Sequence, residues 1–357
     1  MILTILTFLI IVMALVLSHE FGHFIFAKMK GVKVDEFAFG FPPRIFSVQK
    51  GETKYSFNIL PLGGYVKIQG EDGEVAGERS FSAQGFWSKI LILLAGILFN
   101  LLLAYFLISA VLMVGVTQPL DDNDPSKGDI LITEIQEKSP AEIAGLIAGD
   151  KIIKIRDDER AITPLKVEEV RNFIRERGGG NITLKIMRGK DAIELNAIPK
   201  KGEAENEGML GIGLMRVGIK KISPPAALVQ GFSTTVNLTS MTAVALGGFF
   251  KELFTGQASF QGVSGPVGIV NIVGDFSRFG MIFLIQLTAI LSINLGLINL
   301  IPFPGLDGGR AFLLILEKLK GSPFNWKFAR AYHATGFAIL ILLMILITYH
   351  DILKLVS

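Results

Sequence analysis

Four long apolar stretches dominate this sequence, and they constrain its fold more than any other feature. They cover residues 1–28, 90–117, 281–310 and 329–352, and each holds enough consecutive apolar residues to cross a bilayer as a helix. A water-soluble chain needs charge to cover its surface, yet only 19% of residues here are charged and 50% are hydrophobic. The first stretch has neither a basic leading segment nor a small-residue cleavage site, so it reads as a span rather than a cleaved leader. The expected fold class is therefore a mainly α-helical integral membrane protein with four transmembrane helices.

A fifth stretch, Ile222–Phe250, is also free of charge, but it opens with Pro224 and Pro225 and is rich in hydroxyl side chains. Leu228, Phe232 and Val236 recur every four residues, giving one apolar face. That pattern suits a helix lying in the membrane interface better than one crossing it, and residues 201–265 are read as an amphipathic interfacial segment.

Basic residues in short loops set orientation. Lys28 closes the first span and Lys30 and Lys33 follow it, while Arg310, Lys318, Lys320, Lys327 and Arg330 lie at the facing ends of the third and fourth spans or between them. Both loops are expected in the cytoplasm, with both termini and the soluble segment after the second span outside. The overall balance of 35 Lys and Arg against 32 Asp and Glu gives no ground for a nucleic-acid partner.

There are no cysteines and only four histidines, and two of these lie inside the first span, in Ser18-His19-Glu20-Phe21-Gly22-His23. Four-residue spacing puts His19 and His23 on one helical face, where two imidazoles can clamp one Zn²⁺ with Glu20 beside it as proton acceptor. Ionisable side chains in an apolar helix cost about 2.5–3.5 kcal/mol each on insertion scales, so such a cluster argues for function. A third ligand is available in Asn299-Leu300-Ile301-Pro302-Phe303-Pro304-Gly305-Leu306-Asp307-Gly308-Gly309, where two prolines break the third span. With four crossings, the first and third spans run in the same direction, so Asp307 reaches the depth of His19 and His23. With five crossings it would not. Zn²⁺ against ionised Glu20 and Asp307 also sums to zero charge, the tolerable state in a low dielectric.

The two motifs together resemble those of the bacterial site-2 proteases, and the likeness extends over nearly the whole chain. It includes Phe39-Gly40-Phe41-Pro42-Pro43-Arg44, Pro61-Leu62-Gly63-Gly64-Tyr65-Val66-Lys67 and Ser264-Gly265-Pro266-Val267-Gly268-Ile269. The resemblance implies an intramembrane zinc metalloprotease with His19, His23 and Asp307 as zinc ligands and Glu20 as catalytic base. It also implies that Asn299 lies near bound substrate, on a proline-broken stretch where Pro302 and Pro304 line the site. Two departures are Ile97 after Gly96, where proline is frequent in the family, and Arg310, where histidine is frequent; neither falls on an expected ligand.

Residues 29–89 read as a membrane-associated β loop on the cytoplasmic side. Lys54–Leu60 reads as a strand after a turn at Gly51, and the resemblance favours a hairpin that holds substrate extended by strand pairing. Tyr55, Phe57 and Ile59 are its expected substrate contacts. Between residues 126 and 200 the texture turns charged: Ile130–Ile135, Lys151–Ile155, Asn181–Met187 and Ala192–Ala197 read as strands and Val167–Arg177 as a helix. This segment resembles one α/β PDZ domain, with Ile130–Ile135 and Val167–Arg177 as walls of a groove for a peptide or chain terminus; exclusion of bulky ectodomains by size is an equal alternative.

The family likeness implies a multi-pass protein of the bacterial inner membrane, with its site near the cytoplasmic face. Its substrates would be single-span membrane proteins, such as an anti-sigma factor already trimmed by a site-1 protease. Two rival readings are a silent scaffold working through the outer domain and a metal transporter. The transporter would need acidic residues along several spans.

Overall fold

The computed structural model describes residues 2–71, 77–124, 128–189, 191–201, 208–256 and 265–356, and it divides into two compact units: Met1–Val111 with Pro224–Ser357, and Leu112–Ser223. Along the chain come α1 (Ile2–Met29), β1 (Val34–Lys50), β2 (Thr53–Ile68) and α2 (Phe86–Val114). The second unit then contributes β3 (Val116–Pro119), β4 (Asp129–Ile135), α3 (Pro140–Ile143), β5 (Lys151–Arg156), β6 (Ala161–Ile162), α4 (Val167–Arg175), β7 (Ile182–Arg188), β8 (Asp191–Ala197), β9 (Lys200–Lys201), β10 (Gly208–Met209) and β11 (Ile212–Lys220). Five helices follow: α5 (Pro224–Phe254), α6 (Pro266–Phe279), α7 (Met281–Leu300), α8 (Asp307–Lys320) and α9 (Trp326–Val356).

Among the described residues, four helices are long and apolar enough to cross a membrane: α1, α2, α7 and the Trp326–Leu353 part of α9. Each satisfies its own backbone hydrogen bonds, as lipid demands. α5, with its hydroxyl-rich sequence, is not among them, though it is a continuous helix of 31 residues. Leu228, Phe232 and Val236 are exposed on α5, whereas Gly231 approaches Ser109 of α2 so closely that a Cβ would lie 2.1 Å from the Ser109 hydroxyl.

Small residues let α1 and α2 approach to backbone contact. A Cβ on Gly22 would sit 2.3 Å from the Ala95 carbonyl oxygen, so α1 cannot carry a larger residue there without moving away. Ser292 of α7 donates to the Asn100 carbonyl of α2 at 2.7 Å, and Ser18 of α1 donates to the Phe99 carbonyl at 3.1 Å. Two features are not signalled by the sequence pattern. The short helix α6 packs on α1 and α7 through Ile269, Ile272, Val273 and Phe276. Asp351, at the end of α9, is buried and accepts from the backbone N–H groups of Gly265 and Gly268 at 2.9 and 2.8 Å, satisfying free donors at the start of α6. That carboxylate is a helix cap. Ser264 lies outside the described residues.

β1 and β2 fold back on each other twice. Residues 36–39 pair with 54–57 and also with 64–67, and residues 46–49 pair with 54–57 from the other side. The segment 54–57 therefore has neighbours on both edges, while among the described residues 64–68 has one strand neighbour and an open edge. The turn between β1 and β2 is pinned to the end of α1 and to the following loop. Hydrogen bonds from Arg79 and then Lys28 hold the Glu52 carboxyl down at about 2.

In the second unit, Ile130, Ile132, Ile152, Ile155, Ile182, Leu184 and Ile186 of the sheet close over Val170, Phe173 and Ile174 of α4. The sheet order is β3-β11-β4-β5-β7-β8. Residues 208–220, grouped from the sequence with the interfacial segment, instead supply β10 and β11 of this unit. Glycines at 213 and 218 dilute the alternation that would mark β11 as a strand. The order also sets where the Ile130–Ile135 strand, expected as a groove wall, lies in the sheet. β4 (the Ile130–Ile135 strand) lies between β11, which pairs along its length, and β5, which pairs only with Ile130 and Leu131, whereas β11 meets β3 only from Val217 onward. Residues 212–215 keep an open edge among the described residues, and α4 packs beside β10 and β11.

Candidate metal centre

α1 continues unbroken through its polar cluster, so His19 and His23 project from successive turns of one face and are both buried. The third residue arrives from the far end of the chain. α7 stops at Leu300, the backbone turns through Ile301–Leu306, and Asp307 opens α8. Glycines make that turn possible. A Cβ on Gly308 would meet the Leu300 carbonyl oxygen at 2.3 Å, and one on Gly309 the Phe303 carbonyl oxygen at 2.1 Å. The prolines shape the same turn, and Gly336 of α9 packs onto the Pro304 carbonyl.

The result is a triangle of donor atoms. His19 Nε2 lies 2.9 Å from Asp307 Oδ2, His23 Nε2 lies 3.2 Å from the same oxygen, and the two nitrogens are 3.2 Å apart. Ligands at about 2.0–2.1 Å from a tetrahedral zinc stand roughly 3.3 Å from one another, so one face of such a site is already formed. Asp307 Oδ2 is buried, and in the tautomers that leave both Nε2 atoms unprotonated it faces two ring lone pairs and no donor. A shared cation removes that conflict. Among the described residues these three are the group able to hold a metal ion.

The surroundings fix the rings. His23 Nδ1 donates to the Ile92 carbonyl of α2 at 2.8 Å, which leaves its Nε2 lone pair for the metal. Gly96 of α2 lies flat against both rings, where a Cβ would be 2.4 Å from His23 Nε2 and 2.6 Å from His19 Cε1. Asn100, fully buried on the same helix, reaches His19 Nδ1 at 3.2 Å.

A cavity of about 480 Å³ opens on this centre, lined by His19, Glu20, His23, Asp307 and Arg310, with Tyr65–Glu71 forming one wall. Glu20 is thus in the same space as the three donors, packed near Gly64 of β2. An ion pair between Glu71 and Arg310 links that wall to α8.

The other expected contacts lie elsewhere. Tyr55 and Phe57 sit in an aromatic cluster with Phe24, Phe37, Phe39 and Phe46, and Ile59 is exposed. None of the three lines the cavity; Tyr55 and Phe57 lie in a segment flanked on both edges, and the segment Tyr65–Ile68 lines it instead. Asn299, Pro302 and Pro304 also stay out of the lining. Sequence reasoning missed Gly96, the Tyr65–Glu71 wall and the role of Asn100, although Asn100 is visible as the lone amide of an uncharged span.

Residues 7–343 match the family model of peptidase family M50. The chain belongs to that family. It is 33% identical over 341 residues to a Clostridium perfringens homologue, covering 95% of this chain and 96% of the relative. The zinc metalloprotease RasP of Oceanobacillus iheyensis is 30% identical over 436 aligned positions, covering 99% of both chains. The regulator of sigma-W protease RasP of Bacillus subtilis is 28% identical with the same coverage. As a member of this family the chain is a metalloprotease.

Proposed function

We propose that this M50 peptidase binds zinc through His19, His23 and Asp307 and hydrolyses peptide bonds within or near the membrane spans of single-span proteins. The observation that carries the reading is the donor triangle, brought together from two apolar helical regions beside one carboxylate, Glu20. When bound, the metal supplies Lewis acidity to the attacking water and the scissile carbonyl. Glu20 accepts the proton of that water and later delivers it to the leaving amine, so water is consumed and a new carboxylate and amine are released.

The open edge at Tyr65–Ile68 holds the substrate. A helix cannot be cut while its backbone is fully hydrogen-bonded, and pairing an unwound segment to this edge would offer an extended chain beside Glu20. Ile45, Phe46, Val48, Phe57, Ile59 and Leu60 expose apolar side chains on β1 and β2, which supports immersion of this sheet in lipid. Loop charge supports an inner-membrane orientation with both termini and the second unit outside, and α5 lying in the interface.

The second unit is read as a PDZ domain. The open edge of residues 212–215 next to α4 suits a peptide or chain terminus better than β4 does. The sigma-W name carried by the Bacillus subtilis relative supports an anti-sigma factor, trimmed outside by a site-1 protease, as the substrate type.

The test is cleavage of a single-span test substrate by the purified full chain, wild type against Glu20→Gln, with and without a zinc chelator. Cleavage lost in the variant and on chelation supports the reading. Cleavage that persists in Glu20→Gln removes it.

A further inference from the structure

The ring of His23 is oriented by a backbone carbonyl, but that of His19 meets a side chain. His19 turns Nε2 to the donor triangle, so in its neutral metal-binding form the proton sits on Nδ1 and needs an acceptor. The group within reach is the Asn100 amide, 3.2 Å from Nδ1 through Nδ2, while Asn100 Oδ1 is buried without a partner. That arrangement sets an N–H donor against an N–H donor. A half-turn of the amide exchanges two ends of nearly equal size and brings Oδ1 to Nδ1. One amide end is unpaired either way, so the ring decides the choice: only the carbonyl oxygen can accept.

We propose that Asn100 is the positioning residue for His19, its side-chain carbonyl accepting the Nδ1–H of the imidazole and thereby fixing the tautomer and ring angle that present Nε2 to the metal. This rests on the zinc reading above. Two contacts make Asn100 a rigid support. Ser292 of α7 holds its backbone carbonyl at 2.7 Å, and Gly96, one helical turn earlier, lets α2 lie close enough for the amide to reach. The amide is fully buried, so water does not replace it.

The test measures zinc affinity by chelator competition on the full chain in detergent, comparing wild type with Asn100→Asp, Asn100→Leu and His19→Ala. Cobalt(II) absorption of the loaded proteins reports ligand geometry. Asn100→Asp, an acceptor that cannot donate when ionised, is expected to bind zinc at least as tightly as wild type. Asn100→Leu is expected to bind about 10–100-fold more weakly with an altered cobalt spectrum, while its metal-free melting temperature stays that of metal-free wild type. Wild-type affinity and spectrum in Asn100→Leu would overturn the proposal. So would weakened binding in Asn100→Asp, a comparison that still decides if Asn100→Leu fails to fold. The parent reading fails separately, through absence of stoichiometric zinc in wild type or unchanged zinc in His19→Ala.

Discussion

Gly96 of α2 and His23 of α1 approach so closely that a single methyl group on Gly96 would stand 2.4 Å from His23 Nε2. The metal-facing nitrogen is therefore walled by backbone, and the space on the other side is left to an ion. Gly96→Ala should weaken zinc binding by at least about tenfold, since the ring must turn off its ligand axis. Zinc retention during dialysis against a chelator measures this. Retention equal to wild type would mean that the helices separate without cost.

Gly22 tests the packing of the same two helices away from the rings. Gly22→Ala puts a Cβ 2.3 Å from the Ala95 carbonyl oxygen, a backbone atom that cannot swing aside. Overpacking of this kind costs about 1–3 kcal/mol. The expected outcome is a lower melting temperature for the full chain in detergent, and an unchanged one would contradict so close a contact between α1 and α2.

The open edge of β2 makes a distinction that crosslinking can read. With a photoreactive amino acid in an inactive Glu20→Gln background, positions 65 and 67 should capture a single-span substrate, and position 57 should not. Phe57 stacks on Phe39 and Phe46 with ring centroids 5.0 and 5.4 Å apart, inside a segment already paired on both sides. Equal capture at position 57 would show that substrate does not use the cavity wall.

The Glu52 clamp gives a signed pH dependence. Its carboxyl is held at about 2 by Arg79 and Lys28, below the ordinary value of 4.5. A depressed carboxyl contributes stability that is fully present above the unfolded value and fades as pH falls toward the folded one. The melting-temperature difference between wild type and Glu52→Gln should therefore be largest near neutral pH and narrow between 4.5 and about 2. A constant difference over that range would contradict the clamp.

Much of this site is legible from residue order alone. His19 and His23 declare themselves by helical spacing inside an apolar span, and the parity of the spans brings Asp307 to their depth. The remainder depends on contacts that no local pattern encodes. Tyr55, Phe57 and Ile59 alternate as well as any strand, but which segment keeps a free edge depends on how β1 and β2 fold back. β11 is obscured by its glycines, and α8 by following a proline-broken turn that reads as a simple exit from the membrane. Asn100 stands out as an isolated amide, yet only the packing of α2 on α1 gives it His19 to hold.

The central claim is tested most directly by the zinc content of the purified full chain beside His19→Ala, His23→Ala and Asp307→Ala, with Glu20→Gln as the control for an intact site. The account predicts one zinc per chain in wild type and in Glu20→Gln, and its loss in each of the other three. Zinc that survives in any of those three, or a wild-type chain that takes up none, would contradict it.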